Sequence, residues 1–261
     1  MDRIDDSLLL EPHAAARGGR RYSVAFACSD AERREAQQLR WRVFAEEMGV
    51  RLRSKETGVD HDLFDPHCKH LLVRNEQSGE VIGTYRLLPP HGARRVGCYY
   101  SETEFDLTRL QRLRPHMVEL GRTCVDARHR SGAVIALLWS GVARYMLAHG
   151  YRYLIGCASM SLADSGRAAL AAYQRMRATS LAPIEYQVFP RAPLELDGID
   201  APDDIALPPL IKGYLRCGAW VCGEPAWDPD FTSADFFMFL PLSRVTGRYA
   251  RHFLGDAATH A

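Results

Sequence analysis

Apolar and polar positions alternate over residues 22–28 (YSVAFAC), the period of a strand with one buried face. The spacing then lengthens. Leu39, Val43, Phe44 and Met48 lie along one stripe of a helix that Asp30 would cap and Gly49 would end. Residues 60–70 (DHDLFDPHCKH) break the pattern as a polar loop containing Pro66. Two apolar runs, 71–75 and 80–88, flank a Ser78-Gly79 turn signal and predict a hairpin. Residues 99–117 open on Ser101, Glu102 and Glu104 and predict a short helix or two, with Arg109, Arg112 and Arg114 near the end.

The second half begins with a strand at 117–125 and a basic turn from Asp126 to Gly132. A helix from 133 to about 149, closed by Gly150, and a strand at 153–159 follow. Strand, turn, helix, strand is a βαβ unit, so its two strands should be parallel with a right-handed crossover. A helix near 163–178 and a strand at 184–189 are expected next, then a Pro- and Asp-rich surface insertion at 190–209. Residues 210–223 and 235–242 should complete the sheet. With 1–20 read as a flexible leader and 251–261 as a tail, residues 21–250 are expected to form a single α/β domain. Its mixed sheet would hold about six or seven strands with helices on both faces.

Composition narrows the class. With 47% hydrophobic and 25% charged residues the chain can build a real core. A formal net charge of +1 supplies no bulk attraction to nucleic acid or to a membrane. The seven cysteines are odd in number and contain no Cys-x-x-Cys pair, which points to reduced thiols and a cytoplasmic protein. The longest apolar stretch, 133–143, falls short of the roughly 20 residues that span a bilayer.

The candidate chemistry gathers around the βαβ unit. A helix N-terminus after the turn bearing Arg128, Arg130 and Gly132 presents free N–H groups to an anion. The strand before it, VELGRTCV, carries Glu119 and Arg122 in an otherwise apolar element, and Arg86 interrupts the strand GTYRLLP. Charge buried without partners is costly, so such residues are either self-paired or part of a site. Strict alternation puts Glu119 and Arg122 on opposite faces; a bulge at Gly121 would bring them to one side. In the loop, Asp60, Asp62 and Asp65 read either as a solvated cluster or as carboxylates for a cationic substrate. His61, His67, Cys68 and His70 match no closed zinc spacing, and no metal site is expected.

Six segments then occur in a telling order: LRWRVFAEEMG, FDPHCKHLLV, VIGTYRLLP, YYSETEFDL, ELGRTCV, and LLWSG with GCAS. Together they resemble the ornithine-lipid-forming N-acyltransferases, over roughly residues 22–250. The framework is also similar to the acyl-homoserine-lactone synthases in its Arg40-to-Phe44 motif, its acidic loop, Arg86, and the Glu119/Arg122 pair. The resemblance implies a GNAT-like fold in which the strands at 117–125 and 153–159 splay around a thioester-bearing pantetheine. It implies acyl transfer from acyl-carrier protein to the α-amine of L-ornithine, with no metal or organic cofactor. Glu119 and Arg122 would be catalytic, Glu119 as general base, directly or through a water. Arg40, Phe44, Asp60, Asp62, Asp65, Arg86, Ser101 and Glu102 would bind the amino acid, the acidic residues holding its ammonium or fixing the arginines. Cys124, Val125, Arg128, Arg130, Gly132, Cys157, Ala158 and Ser159 would receive the acyl donor, with an oxyanion donor near Cys124 or Val125.

One departure bears on the donor. The usual acetyl-CoA loop, Arg/Gln-x-x-Gly-x-Gly/Ala, has Ser131 in place of its first glycine, which suits a donor with one phosphate better than a pyrophosphate. Synthesis of another N-acyl amino acid or of an acyl-homoserine lactone, or a non-catalytic carrier- or lipid-binding module, are the alternatives. Residues 208–222 and 236–242 are apolar enough to suggest weak contact with anionic membrane.

Overall fold

A computed structural model describes residues 15–17, 20–130, 132–195, 198–200, 202 and 205–245. In chain order it begins with strands β1 (Ala15–Arg17) and β2 (Arg20–Phe26), helix α1 (Asp30–Trp41), and strands β3 (Lys69–Asn75) and β4 (Val81–Leu88). Helix α2 (Pro90–Val96), the two-residue strand β5 (Phe105–Asp106), strand β6 (Met117–Val125), helix α3 (Ala133–Ala148) and strand β7 (Tyr153–Ser161) follow. Helix α4 (Arg167–Ser180), strand β8 (Phe189–Pro190), helix α5 (Pro209–Cys217) and strands β9 (Trp220–Val221), β10 (Ala226–Asp228) and β11 (Ser233–Pro241) complete it. The proposed leader and tail lie outside the described residues, apart from β1 and Arg20.

Contacts gather into two compact units that interleave along the chain. Among described residues the first takes those up to Val96 and Leu120–Tyr151; the second takes Gly97–Glu119 and those from Arg152 on.

In the first unit the strand order is β1, β2, β3, β4, β6. β2, β3 and β4 pair antiparallel, with a register shift between Val73 and Arg74. All eight residues of β4 (VIGTYRLL) are buried, so both its faces are covered, and both α1 and α3 pack on it. Helix α3 sits very close: a Cβ on Gly141 would meet Leu71 Cδ2 at 2.7 Å, and one on Gly83 would meet Val134 Cγ1 at 2.5 Å. Ser29 caps α1 by accepting from the Glu32 N–H at 3.2 Å. The helix predicted to run to Met48 widens after Trp41 into a π-helical segment, Arg42–Glu47, with the Met48 N–H donating to the Val43 carbonyl at 3.1 Å.

In the second unit β11 lies antiparallel to β7 over nine residue pairs, from Ser233 opposite Ser161 to Pro241 opposite Tyr153. On the other side of β7, Met117–Glu119 of β6 pairs parallel with Tyr153–Ile155, as the βαβ pattern required. Every residue of β11 is buried. Two expectations fail here. Residues 210–223 were read as sheet, yet they form α5 and only the short β9; Ile211, Tyr214 and Cys217, three residues apart, line the buried stripe of a helix that Gly218 ends at φ 98°. The strand expected at 184–189 is a 3₁₀ turn, Ile184–Tyr186, leading into β8, which pairs with β5.

Candidate active site

The first unit holds a buried ion network. Arg40, fully buried on α1, donates from Nε to Asp60 Oδ2 at 2.7 Å and from its two Nη atoms to Asp65 at 2.8 and 3.0 Å. Arg86 on β4 donates from Nη1 to both Asp62 oxygens at 2.7 Å and to Asp65 Oδ2 at 3.1 Å. Arg122 on β6 reaches Asp60 and Asp62 at 3.5 Å in each case, looser than the other contacts. Beside Gly121, where a bulge was expected, Arg122 has a φ of 52°, in the left-handed region. The loop is itself fixed, since the Phe64 and Asp65 N–H groups donate to Asp62 Oδ1. Phe44 is buried on the π-helical segment.

Desolvation would raise the Asp65 pKa, but the guanidiniums of Arg40 and Arg86 outweigh it and hold the carboxyl far below the usual range. Burial likewise opposes the charge of Arg86, and Asp62 leads the groups that more than restore it. His70, buried among these cations, falls to about 4 and is neutral at pH 7, its Nε2 lying 3.0 Å from the Asp65 carbonyl. Asp60, Asp62 and Asp65 thus fix arginines, one of the two roles open to them from sequence.

The same unit carries the basic turn. Arg128 pairs with Asp126 at 3.0 Å, and Arg130 pairs with Glu47 at 2.6 Å while donating from Nε to the Val125 carbonyl at 3.1 Å. Gly132, at φ 76°, precedes α3, whose N-terminus has no side-chain cap. Ser131 lies outside the described residues. Burial pushes the Cys124 thiol up to about 12, so at neutral pH it carries its proton and is no nucleophile.

In the second unit Glu119 anchors a 3₁₀ turn, Tyr100–Thr103. Its carboxylate accepts from the Tyr100 N–H at 2.6 Å, from the Ser101 N–H at 2.7 Å, and from the Ser101 hydroxyl. Glu102 accepts from the Tyr99 N–H and from Arg114, each at 2.7 Å. Cys157 lies 3.4 Å from Ser101 Oγ. Ala158 is buried on β7 beside it, and Ser159 stands opposite Asp235 of β11. Burial raises the Cys157 thiol well above its ordinary value.

Glu104 and Asp235 are not among the candidate site residues that the sequence offers. Glu104, Cys157 and Asp235 bring a carboxyl, a thiol and a second carboxyl within 4.8 Å of one another. Burial, then Asp235, then Asp228, push Glu104 up to about 9; burial leads the causes that raise Asp235 as well. The available signal was a lone carboxylate in the apolar run DFFMFLPL, the same signal that singled out Glu119.

The chain matches a family model described as an acetyltransferase (GNAT) domain over residues 39–140. It is 36% identical to the L-ornithine N(alpha)-acyltransferase of Brucella abortus over 254 residues, covering 90% of this chain and 89% of that one. It belongs to the L-ornithine N(alpha)-acyltransferase family. The Rhizobium meliloti member is 36% identical over 250 residues, with 88% of this chain and 83% of that one covered. Among solved structures, the AHL synthase LasI overlays with a TM-score of 0.49 at 14% identity, covering 94% and 96% of the two chains. The protein is therefore an acyltransferase with the GNAT fold, as its motifs implied.

Proposed function

We propose that this enzyme transfers a (3-hydroxy)fatty acyl group from the thioester of acyl-carrier protein to the α-amine of L-ornithine, giving lyso-ornithine lipid. One observation carries the reading: four relatives named for that acceptor are 34–36% identical over 85–90% of this chain. In the reaction the amine nitrogen attacks the thioester carbon, a C–N bond forms and the C–S bond breaks. The ornithine ammonium gives up two of its three protons; the departing thiolate takes one, and one is released per turnover. Glu119 is the general base, directly or through a water. A backbone N–H near Cys124 or Val125 serves the oxyanion. Arg122, 3.5 Å from Asp60 and from Asp62, would hold the substrate carboxylate together with Arg86. Direct transfer is favoured because Cys124 and Cys157 are both held as thiols.

The uncapped N-terminus of α3 and the arginines of the turn before it suit a single phosphate on a carrier arm. No metal or organic cofactor enters this scheme. The enzyme would work in the cytoplasm; among the described residues no helix is long and apolar enough to cross a membrane. Weak membrane contact cannot use residues 236–241, which are buried in β11. Exposed Ile184 and Phe189 suit it better, with the Arg109 guanidinium 4.9 Å from the Phe189 ring centroid and donating to the Ile184 carbonyl. Salt-releasable binding to anionic vesicles is expected, and no binding at low salt would remove it. The function itself is tested by incubating the protein with 3-hydroxyacyl-carrier protein and a panel of amino acids. Mass spectrometry should find N-acyl-ornithine; a lactone, or a different N-acyl amino acid alone, overturns the proposal.

A further inference from the structure

The polar groups of the second unit form a line rather than a scatter. At one end the Glu119 carboxylate takes the Ser101 hydroxyl. Ser101 Oγ is in turn 3.4 Å from the Cys157 thiol. The thiol is within reach of the Glu104 carboxyl, which also meets Asp235. At the far end Asp235 accepts from the Ser233 hydroxyl at 2.7 Å. Four different elements supply these groups: the 3₁₀ turn at 100–103 with Glu104 after it, then β6, β7 and β11. Each intermediate link, a hydroxyl and a thiol, can both donate and accept, and either can reverse by rotating one bond.

The far end of the line is built to keep a proton. Glu104, Asp228 and Asp235 bring three carboxyl groups together, and none of the leading influences on Glu104 or Asp235 is a cation. That contrasts with the first unit, where every aspartate of the loop meets an arginine. Two buried carboxyls facing each other without a cation share a proton, because both cannot ionise at close range. Asp228 is occupied otherwise, accepting from the Asp230 N–H at 2.8 Å and the Phe231 N–H at 3.2 Å. Glu104 is raised to about 9, so the pair holds its proton at neutral pH.

We infer that Ser101 and Cys157 form a proton relay between Glu119 and the Glu104–Asp235 carboxyl pair, and that this pair exchanges the protons handled by the general base. The inference rests on Glu119 being that base. In the forward sense, protonated Glu119 donates to Ser101 Oγ, the Ser101 hydroxyl proton passes to Cys157 Sγ, and the thiol proton passes to the carboxyl pair. Each atom gains one proton and loses one, so no charge is left on oxygen or sulfur along the way. The pair then releases the proton it has gained, and Glu119 is again a carboxylate. Ser101 and Cys157 are positioning residues in this scheme, acting through Glu119 rather than on the substrate.

The test compares Cys157→Ala with Cys157→Ser, alongside Glu104→Gln and Glu119→Gln, in the full-length chain. Cys157→Ala should lower kcat by about 10–100-fold, below the range typical for loss of a general base itself. KM for ornithine should stay unchanged, and small buffer bases should restore part of the rate. Cys157→Ser keeps a group that donates and accepts, and should stay within about threefold of wild type. Equal losses in both Cys157 variants, or a wild-type kcat and pH profile in both Cys157→Ala and Glu104→Gln, overturn the relay. Should wild type turn over while only Glu119→Gln fails, the relay is wrong and the function stands; a wild type that makes no N-acyl amino acid defeats the function instead. A readout independent of turnover is the infrared C=O stretch of a neutral carboxylic acid at pH 7, present in wild type and lost in Glu104→Gln. Its absence from wild type overturns the relay whatever the activity.

Discussion

Replacing Asp65 with asparagine would remove a carboxylate that both Arg40 and Arg86 use while hardly changing its size. Asp65 accepts two donations from Arg40, one from Arg86 at 3.1 Å, and the Asp62 N–H at 2.9 Å. An amide keeps one acceptor oxygen and turns two N–H bonds toward donors, leaving two buried guanidiniums short of negative charge. Removing one partner of a buried pair typically costs about 3–5 kcal/mol. For a chain of this size roughly 2–4 °C of melting temperature goes with each kcal/mol, so a drop of about 10 °C is expected. The pH dependence sharpens the test. Asp65 has a folded pKa far below its unfolded value of about 3.9, so its contribution is complete above that value and fades as pH falls through the lower one. Urea unfolding of wild type and Asp65→Asn across an acid series measures both quantities. The mutant should be less stable at pH 7 and should lose part of the acid dependence below about pH 4. A loss under about 1 kcal/mol with an unchanged acid slope would refute the account of a cooperative, tightly paired network.

Glu119→Gln should lower turnover by about 10²–10⁴ while the fold is retained, at a stability cost of about 1–2 kcal/mol because an amide N–H would face a backbone donor of the Tyr100–Thr103 turn. An unchanged pH–rate profile would remove Glu119 from the base role. Acyl-carrier protein should outcompete the matching acyl-CoA, with an association that weakens as salt rises through Arg128 and Arg130; comparable kcat/KM for the two donors would sink this. Gly141→Ala should destabilise by about 1–3 kcal/mol, since its Cβ would press on Leu71, and thermal melting at the wild-type midpoint would contradict the close approach of α3.

Some of this was readable from sequence and some was not. Strand β6 fell on its predicted bounds, 117–125, because a basic turn and a long apolar helix follow it at once. Arg86, Glu119 and Arg122 announced themselves as charges in apolar strands. Their partners did not: the pairing of Arg40 with Asp60 and Asp65 joins a helix to a loop across 20 to 25 residues, which no local period encodes. Helix α2 went unseen because its seven residues, PHGARRV, carry no amphipathic stripe. Helix α5 was taken for sheet because short apolar runs fit either period, and its buried stripe has only three members. Sequence groups Glu104 with its neighbours Ser101 and Glu102 as one polar opening segment; only the fold shows that it meets Asp235 of β11, 131 positions further along in sequence.

The interleaving of the two units has a consequence for how the protein comes into being. A chain leaves the ribosome from its N-terminus, and a unit can close only when its last necessary segment has emerged. The described part of the first unit is complete at Tyr151, but residues 97–119 must by then be held out as a loop that belongs elsewhere. That loop already contains Tyr99, Ser101, Glu104 and the first three residues of β6, exposed until β7 and β11 have been made. For the time it takes to synthesise the ninety further residues from Arg152 to Pro241, the nascent enzyme carries half-built apolar strands. Neither unit can be released by cutting the chain at one point, so gene fusions and truncations that split the protein between them are expected to yield insoluble fragments rather than working halves.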